Sequence, residues 1–155
     1  MNNLNGYDIE DLAVGMTAMF AKTITEADIV LFAAASGDNN AVHINEKFAK
    51  STSFGGRIAH GFLTASVISA AVANRLPGPG AVYISQQMSF KAPVHPGDTV
   101  EATVLVKEII LDRSRVVLET TCRVGDTLVI EGEALVKTTS RAKREAATAN
   151  IVKAA

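Results

Sequence analysis

Hydrophobic and polar positions divide the chain into two unlike halves, one read mainly as helices and one as strands. From Met16 to Ile24, branched and apolar residues mix with polar ones as in a strand. Thr23 to Asp28 then supplies capping and acidic residues before the helical run Ile29-Val30-Leu31-Phe32-Ala33-Ala34-Ala35. Ser36-Gly37-Asp38 ends that helix, because glycine favours a helix C-terminus and Asp and Asn favour turns. A short amphipathic segment spans Asn45 to Lys50, and a glycine-bearing loop follows, Ser51 to Arg57. Beyond it, the stretch from Gly61 to Ala73 reads as a helix without a single charged residue. Its small residues, Ala65, Ser66, Ser69, Ala70, Ala71 and Ala73, are spread over all faces, so that a sheet or a partner's backbone can surround this buried helix closely.

The second half supplies the wrapping. After Pro77-Gly78-Pro79-Gly80, strand-like runs cover Ala81–Phe90, Thr99–Ile109, Arg115–Arg123 and Thr127–Thr138, with Val100, Ala102, Val104 and Val106 at period two. Turn sequences at Pro93 to Asp98 and Val124-Gly125-Asp126 separate them, and such short connections imply antiparallel neighbours. One strand, one long buried helix and four further strands predict an α+β fold in which a curved antiparallel sheet wraps the helix. With 155 residues and 48% hydrophobic content, one domain can fill its own core, and it is assigned residues 1–139. Ser140 to Ala155 mixes Arg141, Lys143 and Arg144 with alanines and lacks an apolar stripe, so it is read as a mobile tail.

Charge and cysteine content narrow the function classes. Fifteen basic against sixteen acidic residues leave a net charge of −1, too little to hold the chain on nucleic acid or an anionic membrane. The helix from Gly61 is shorter than the ~18 residues a membrane span requires. Met1-Asn2-Asn3-Leu4-Asn5-Gly6 has neither the basic flank nor the apolar run of a signal peptide, so a cytoplasmic address is expected. The single cysteine, Cys122, lies in a strand-like run with no helix start beside it to activate a thiolate, and is read as structural.

Chemistry concentrates between Asp38 and His43. A carboxylate and an imidazole can share one water near neutral pH if both reach it at about 3 Å, with Asn40 holding the bend between them. Spacing alone favours a structural role, since Asp and Asn dominate turns. His60-Gly61 adds a second feature: an N–H at a helix start, backed by the macrodipole, suits a developing oxyanion. His95 lies in a proline-bracketed turn and is read as a surface loop residue. Three histidines so widely spread, without a second carboxylate at ligand spacing, make a weak case for a metal.

The segments Gly37-Asp38-Asn39-Asn40-Ala41-Val42-His43, Ile58-Ala59-His60-Gly61, Phe90-Lys91-Ala92-Pro93-Val94 and Pro96-Gly97-Asp98 together resemble the MaoC-like, (R)-specific enoyl-CoA hydratases of the hot-dog fold. The likeness runs from about Val14 to Lys137 and includes the type that supplies polyhydroxyalkanoate synthesis. It departs at Ala41, where the family motif Gly-Asp-x-Asn-Pro-aliphatic-His has a proline that would stiffen the turn. The resemblance implies that Asp38 and His43 bind and activate water, that Asn40 supports them, and that the Gly61 N–H receives the thioester oxygen of an acyl-CoA. It also implies that Ser69 borders the acyl chain, that no metal or organic cofactor takes part, and that two copies join their sheets edge to edge as a homodimer. Ala65, Ser66, Ser69 and Ala70 leave room for an acyl group while strand residues such as Leu135 can close it, and short chains such as crotonyl-CoA are expected. Because the hot-dog fold hosts hydrolysis as well as hydration, a thioesterase and a non-catalytic acyl-CoA-binding subunit stay open as alternatives.

Overall fold

The computed structural model describes residues 1–2 and 4–154, by backbone alone at 148 and 150–154. Five strands form one sheet: β1 (Thr17–Thr23), β2 (Val82–Phe90), β3 (Thr99–Ile110), β4 (Arg115–Val124) and β5 (Thr127–Lys137), in the order β1-β3-β4-β5-β2. All four pairings are antiparallel, and β1 and β2 are the edges. The period-two reading of β3 is met: Val100, Ala102, Val104 and Val106 are all fully buried, and they sit opposite Lys22, Phe20, Ala18 and, across β4, Leu118.

The described residues also form five α-helices: α1 (Glu26–Ser36), α2 (Ala41–Ile44), α3 (Glu46–Lys50), α4 (Gly61–Asn74) and α5 (Arg141–Ala154). The uncharged helix α4 packs across β3, β1 and β4, and Leu63, Val67, Ile68, Ala71 and Val72 enter the core beside Val104, Val116 and Leu118. This is the α+β hot-dog arrangement. No helix among the described residues is long and apolar enough to cross a membrane.

Four details depart from the sequence-based picture. First, α4 is not wrapped on all sides: Phe62, Ser66, Ser69 and Ala73 form an exposed stripe at helical spacing, next to the unpaired edge of β2. Second, the turn after α1 does not stay a loop, because its second half winds into α2. Third, His95 is half-buried, and its Nδ1 bonds the Arg57 carbonyl at 3.0 Å.

Fourth, the segment read as a free tail is the helix α5, and its first turns are docked on the N-terminal segment. Ala155, the last residue of that tail, lies outside the described residues. Arg144 grips both oxygens of the fully buried Asp8, at 2.5 and 2.8 Å. Ser140 and the Arg141 N–H donate to Glu10, and Arg141 also pairs with Asp11. Arg144 holds the Asp8 carboxyl down at about 2, against a burial that by itself would raise it.

Cys122 lies within β4 and is buried. Burial in the core pushes its thiol up to about 12, in keeping with a structural residue.

Candidate active site

The site begins with how α1 starts and stops. Thr25 and Asp28 bond reciprocally as a capping box, the Asp28 N–H donating to the Thr25 hydroxyl at 3.1 Å and the Thr25 N–H to the Asp28 carboxylate at 2.8 Å. At the other end Gly37 takes φ 79°, a left-handed turn open to glycine, and its N–H donates to the Ala33 carbonyl. The chain thereby swings out into Asp38.

Two side-chain turns then place His43. The Asn40 N–H donates to Asp38 Oδ1 at 3.2 Å, and the Val42 N–H donates to the Asn40 carboxamide oxygen at 3.3 Å, which makes Asn40 the N-cap of α2. Ala41 is therefore the first residue of a helix, the position where proline is tolerated because its missing N–H is not needed, and alanine forms the same turn. His43 rides on this turn and is buried. Its Nδ1 donates to the Ile58 carbonyl at 2.8 Å, so Nε2 keeps a free lone pair. That Nε2 stands 4.0 Å from Asp38 Oδ2, whose side chain is half exposed. Four ångströms is too long for a direct bond, yet one water oxygen about 2.8 Å from each atom spans it.

His60 closes the arrangement from behind. Its ring stacks on His43 at 3.9 Å between centroids, leans on Phe32 of α1, and through Nε2 donates to the Asp38 carbonyl at 2.9 Å. Donor atoms of Asp38, His43 and His60 lie within 4.8 Å of one another, a spacing that invites a metal reading. His60 could enter such a site only through Nδ1, which is buried and without a hydrogen-bond partner among the described residues, because Nε2 is committed to the Asp38 carbonyl.

His60 also occupies the N-cap of α4 without capping it, and among the described residues nothing accepts from the Gly61 N–H. Burial of Val67, Ile68 and Val72, each worth about 1.5–3 kcal/mol, outweighs the roughly 1 kcal/mol of cap that α4 forgoes. The open N-terminus faces a cavity of about 300 Å³, whose lining includes His43, Ile58, Gly61, Thr64, Phe90 and Val129. A Cβ on Gly61 would stand 2.8 Å from the Phe90 ring, so only glycine allows that ring to lie so close.

Asp38, Asn40, His43 and Gly61 are thus gathered in one place, although Asp38 reaches the cavity through His43 rather than lining it. Ser69 and Leu135 are elsewhere. Ser69 lines a separate opening of about 230 Å³ between α4 and β2, with Ser66, Tyr83 and Met88, while Leu135 is half-buried on β5 opposite Ser85 and Val117. Sequence reasoning missed His60 as a side chain, along with Thr64 and Phe90. The signal available for His60 was an imidazole where Ser, Thr, Asp or Asn usually begins a helix.

Residues 12–127 match the model of the MaoC-like domain. The chain belongs to that family. Among curated MaoC-like relatives it is 56% identical over 128 residues to the 3-hydroxybutyryl-CoA dehydratase of Methylorubrum extorquens, covering 83% of this chain and 82% of that one. It is 52% identical over 132 residues to the (R)-specific enoyl-CoA hydratase of Rhodospirillum rubrum, with 85% and 92% covered. An R-hydratase of Pseudomonas aeruginosa, solved in its unliganded form, superposes on this MaoC-like chain with a TM-score of 0.82 at 39% identity over 88% of each chain.

Proposed function

We propose that the protein reversibly hydrates trans-2-enoyl-CoA to (R)-3-hydroxyacyl-CoA. The observation that carries the reading is that one cavity is lined by both His43 and Gly61 at the uncapped N-terminus of α4, with Asp38 Oδ2 4.0 Å from the His43 Nε2. Relatives more than half identical are named for this chemistry in one direction or the other.

In the forward direction Asp38 and His43 hold one water and remove its proton as its oxygen bonds the β-carbon. Electrons of the double bond move towards the thioester, and negative charge gathers on its oxygen. The Gly61 N–H donates to that oxygen, a contribution typically worth about 3–4 kcal/mol for a single donor. The proton taken by the Asp38–His43 pair returns to the α-carbon, the thioester carbonyl re-forms, and no electrons are gained or lost. No step calls for a metal or an organic cofactor.

A cavity of about 300 Å³ lies at the small end of ligand pockets, which favours short acyl chains such as crotonyl. Two copies joined along β2 would cover its unpaired edge and the exposed stripe Phe62, Ser66, Ser69 and Ala73, where Val82 is also 60% exposed. Ser69 then belongs to the interior of the assembly, where it can border an acyl chain.

Crotonyl-CoA is the first substrate to try. Its conjugated enoyl-thioester absorbance should fall when protein is added, and chiral analysis should return the R product. Unchanged absorbance across four-carbon to twelve-carbon enoyl-CoA substrates would sink the proposal, and thiol release from saturated acyl-CoA would replace it with hydrolysis.

A further inference from the structure

The segment that carries Asp38 is exposed from Gly37 to Asn40, yet Asp38 must stay at a fixed distance from His43. The hydrogen bonds of these four residues explain how. Asp38 N–H to Ser36, Asn39 to Gly37, Asn40 N–H to Asp38, and the Gly37 and His43 N–H groups to Ala33 and Asn40 all span four residues or fewer. They shape the turn but do not attach it to anything. Among the described residues the one long-range hydrogen bond of the segment is that of His60 Nε2 to the Asp38 carbonyl, 22 positions away.

We infer that His60 is the positioning residue of the site, and that its Nε2–H bond to the Asp38 carbonyl holds the carboxylate in register with both His43 and the Gly61 N–H. The inference rests on the hydration proposed above. Three observations meet in this one side chain. Its Nε2 holds the Asp38 backbone, its ring lies on the His43 ring at 3.9 Å, and its own carbonyl carbon forms the peptide that bears the Gly61 N–H. At an N-cap, a side chain ordinarily turns back to the first N–H groups of its own helix. Here it turns away, leaving those groups to the cavity and using its donor on the water-holding loop.

A packing role alone makes a different prediction. A buried ring between Phe32 and His43 fills space whatever its polarity, whereas the tether needs a donor at the distance of Nε2. Three variants of the full chain separate the two. In His60→Gln the carboxamide nitrogen reaches about as far as Nε2; in His60→Asn it ends near the place of Nδ1; in His60→Leu there is no donor. With crotonyl-CoA, the Leu and Asn variants should lose about tenfold to a hundredfold in kcat, the loss expected when a reacting group shifts by about an ångström. Their KM should stay within about threefold of the parent, because substrate contacts are intact. The Gln variant should recover most of the lost kcat.

Full kcat in His60→Leu, or a Gln variant no better than Asn, overturns the inference. Parallel losses in kcat, KM and thermal stability in all three would also overturn it, in favour of packing. If His60→Leu does not fold, the Gln and Asn pair decides alone. Absence of hydration by the parent protein itself defeats the underlying reading instead, so the two failures are distinguishable.

Discussion

Asp8 and Asp38 are both aspartates at the entry to a short helical turn, and the protein treats them in opposite ways. Asp8 is fully buried, both of its oxygens are held by Arg144, and the carboxyl is held at about 2. Asp38 is half exposed; one oxygen accepts the Asn40 N–H and the other faces His43 Nε2 across 4.0 Å without bonding it. The first is a saturated ion pair that fastens the two ends of the chain together. The second is an acceptor left incomplete, beside a helix N-terminus also left incomplete at Gly61. Capacity for chemistry sits where polar groups are fixed in place but not yet satisfied, and stability sits where they are satisfied.

The sharpest way to break this contrast is Asp38→Asn. Asparagine is nearly isosteric and still accepts the Asn40 N–H, but it is a far weaker base. We expect kcat for crotonyl-CoA hydration to fall by about a hundredfold to ten-thousandfold, the range for loss of a general base. The melting temperature should hardly move, since an exposed side chain contributes little to stability. Retention of most of the turnover would show that Asp38 belongs with Asp8 as a structural carboxylate.

Gly61→Ala should have the next largest effect. The new Cβ meets the Phe90 ring at 2.8 Å, and Phe90, half exposed, can swing away at little cost in stability. The cavity wall that Phe90 and Gly61 form together then changes shape, and the thioester oxygen loses its seat. A fall of about tenfold to a hundredfold in kcat/KM is expected, measured beside an unchanged thermal melt. A variant as active as the parent would remove Gly61 from the site. Partial rescue by Phe90→Leu in the same chain would sharpen the assignment to the contact between them.

The two regions were not equally legible in the sequence. Period-two valines marked β3, a charge-free run marked α4, and Gly37 marked the end of α1, because each signal is local and repeats what the fold requires. The turn carrying Asp38 and His43 was recognisable for the same reason. What escaped were relations between distant segments. Nothing near His60 announces a bond to a carbonyl 22 residues earlier, and nothing near Arg144 announces a carboxylate at position 8. α5 lacks an apolar stripe, so its docking by Asp8 and Glu10 left no periodic trace. Which face of α4 the sheet covers and which it leaves exposed is not legible in the sequence, because small uncharged residues suit a helix core and a subunit contact equally well.

The smallest expected effect tests the saturated end. Asp8 has a folded value of about 2, below the ordinary aspartate value of about 3.9, so its protons bind less readily in the folded state than in the unfolded one. Its contribution is therefore complete above about pH 4 and is lost as the pH falls from there through about 2. Asp28 shares the window, held near 2 by the Thr25 N–H and hydroxyl and by Lys22, and Glu10, Asp11 and Glu46 are also held below their ordinary values, so the wild-type curve alone does not isolate Asp8. Arg144→Met does. It leaves Asp8 buried without its guanidinium, and burial then pushes that carboxyl up rather than down. At pH 7 we expect a loss of about 1–2 kcal/mol, discounted from the usual figure for a broken buried pair because Arg144 is itself 42% exposed. For a chain of this size that is a fall of roughly 2–8 °C in Tm. The variant should also lose less additional stability between pH 4 and pH 2 than the wild type does, the remaining acid response coming from the other carboxylates held low, Asp28, Glu10, Asp11 and Glu46. Its turnover of crotonyl-CoA should match the parent's, since Asp8 and Arg144 are not among the residues lining the cavity at His43 and Gly61. Identical acid profiles for the two proteins would mean that Asp8 is not held by Arg144 in solution, and the contrast with Asp38 would rest on burial alone.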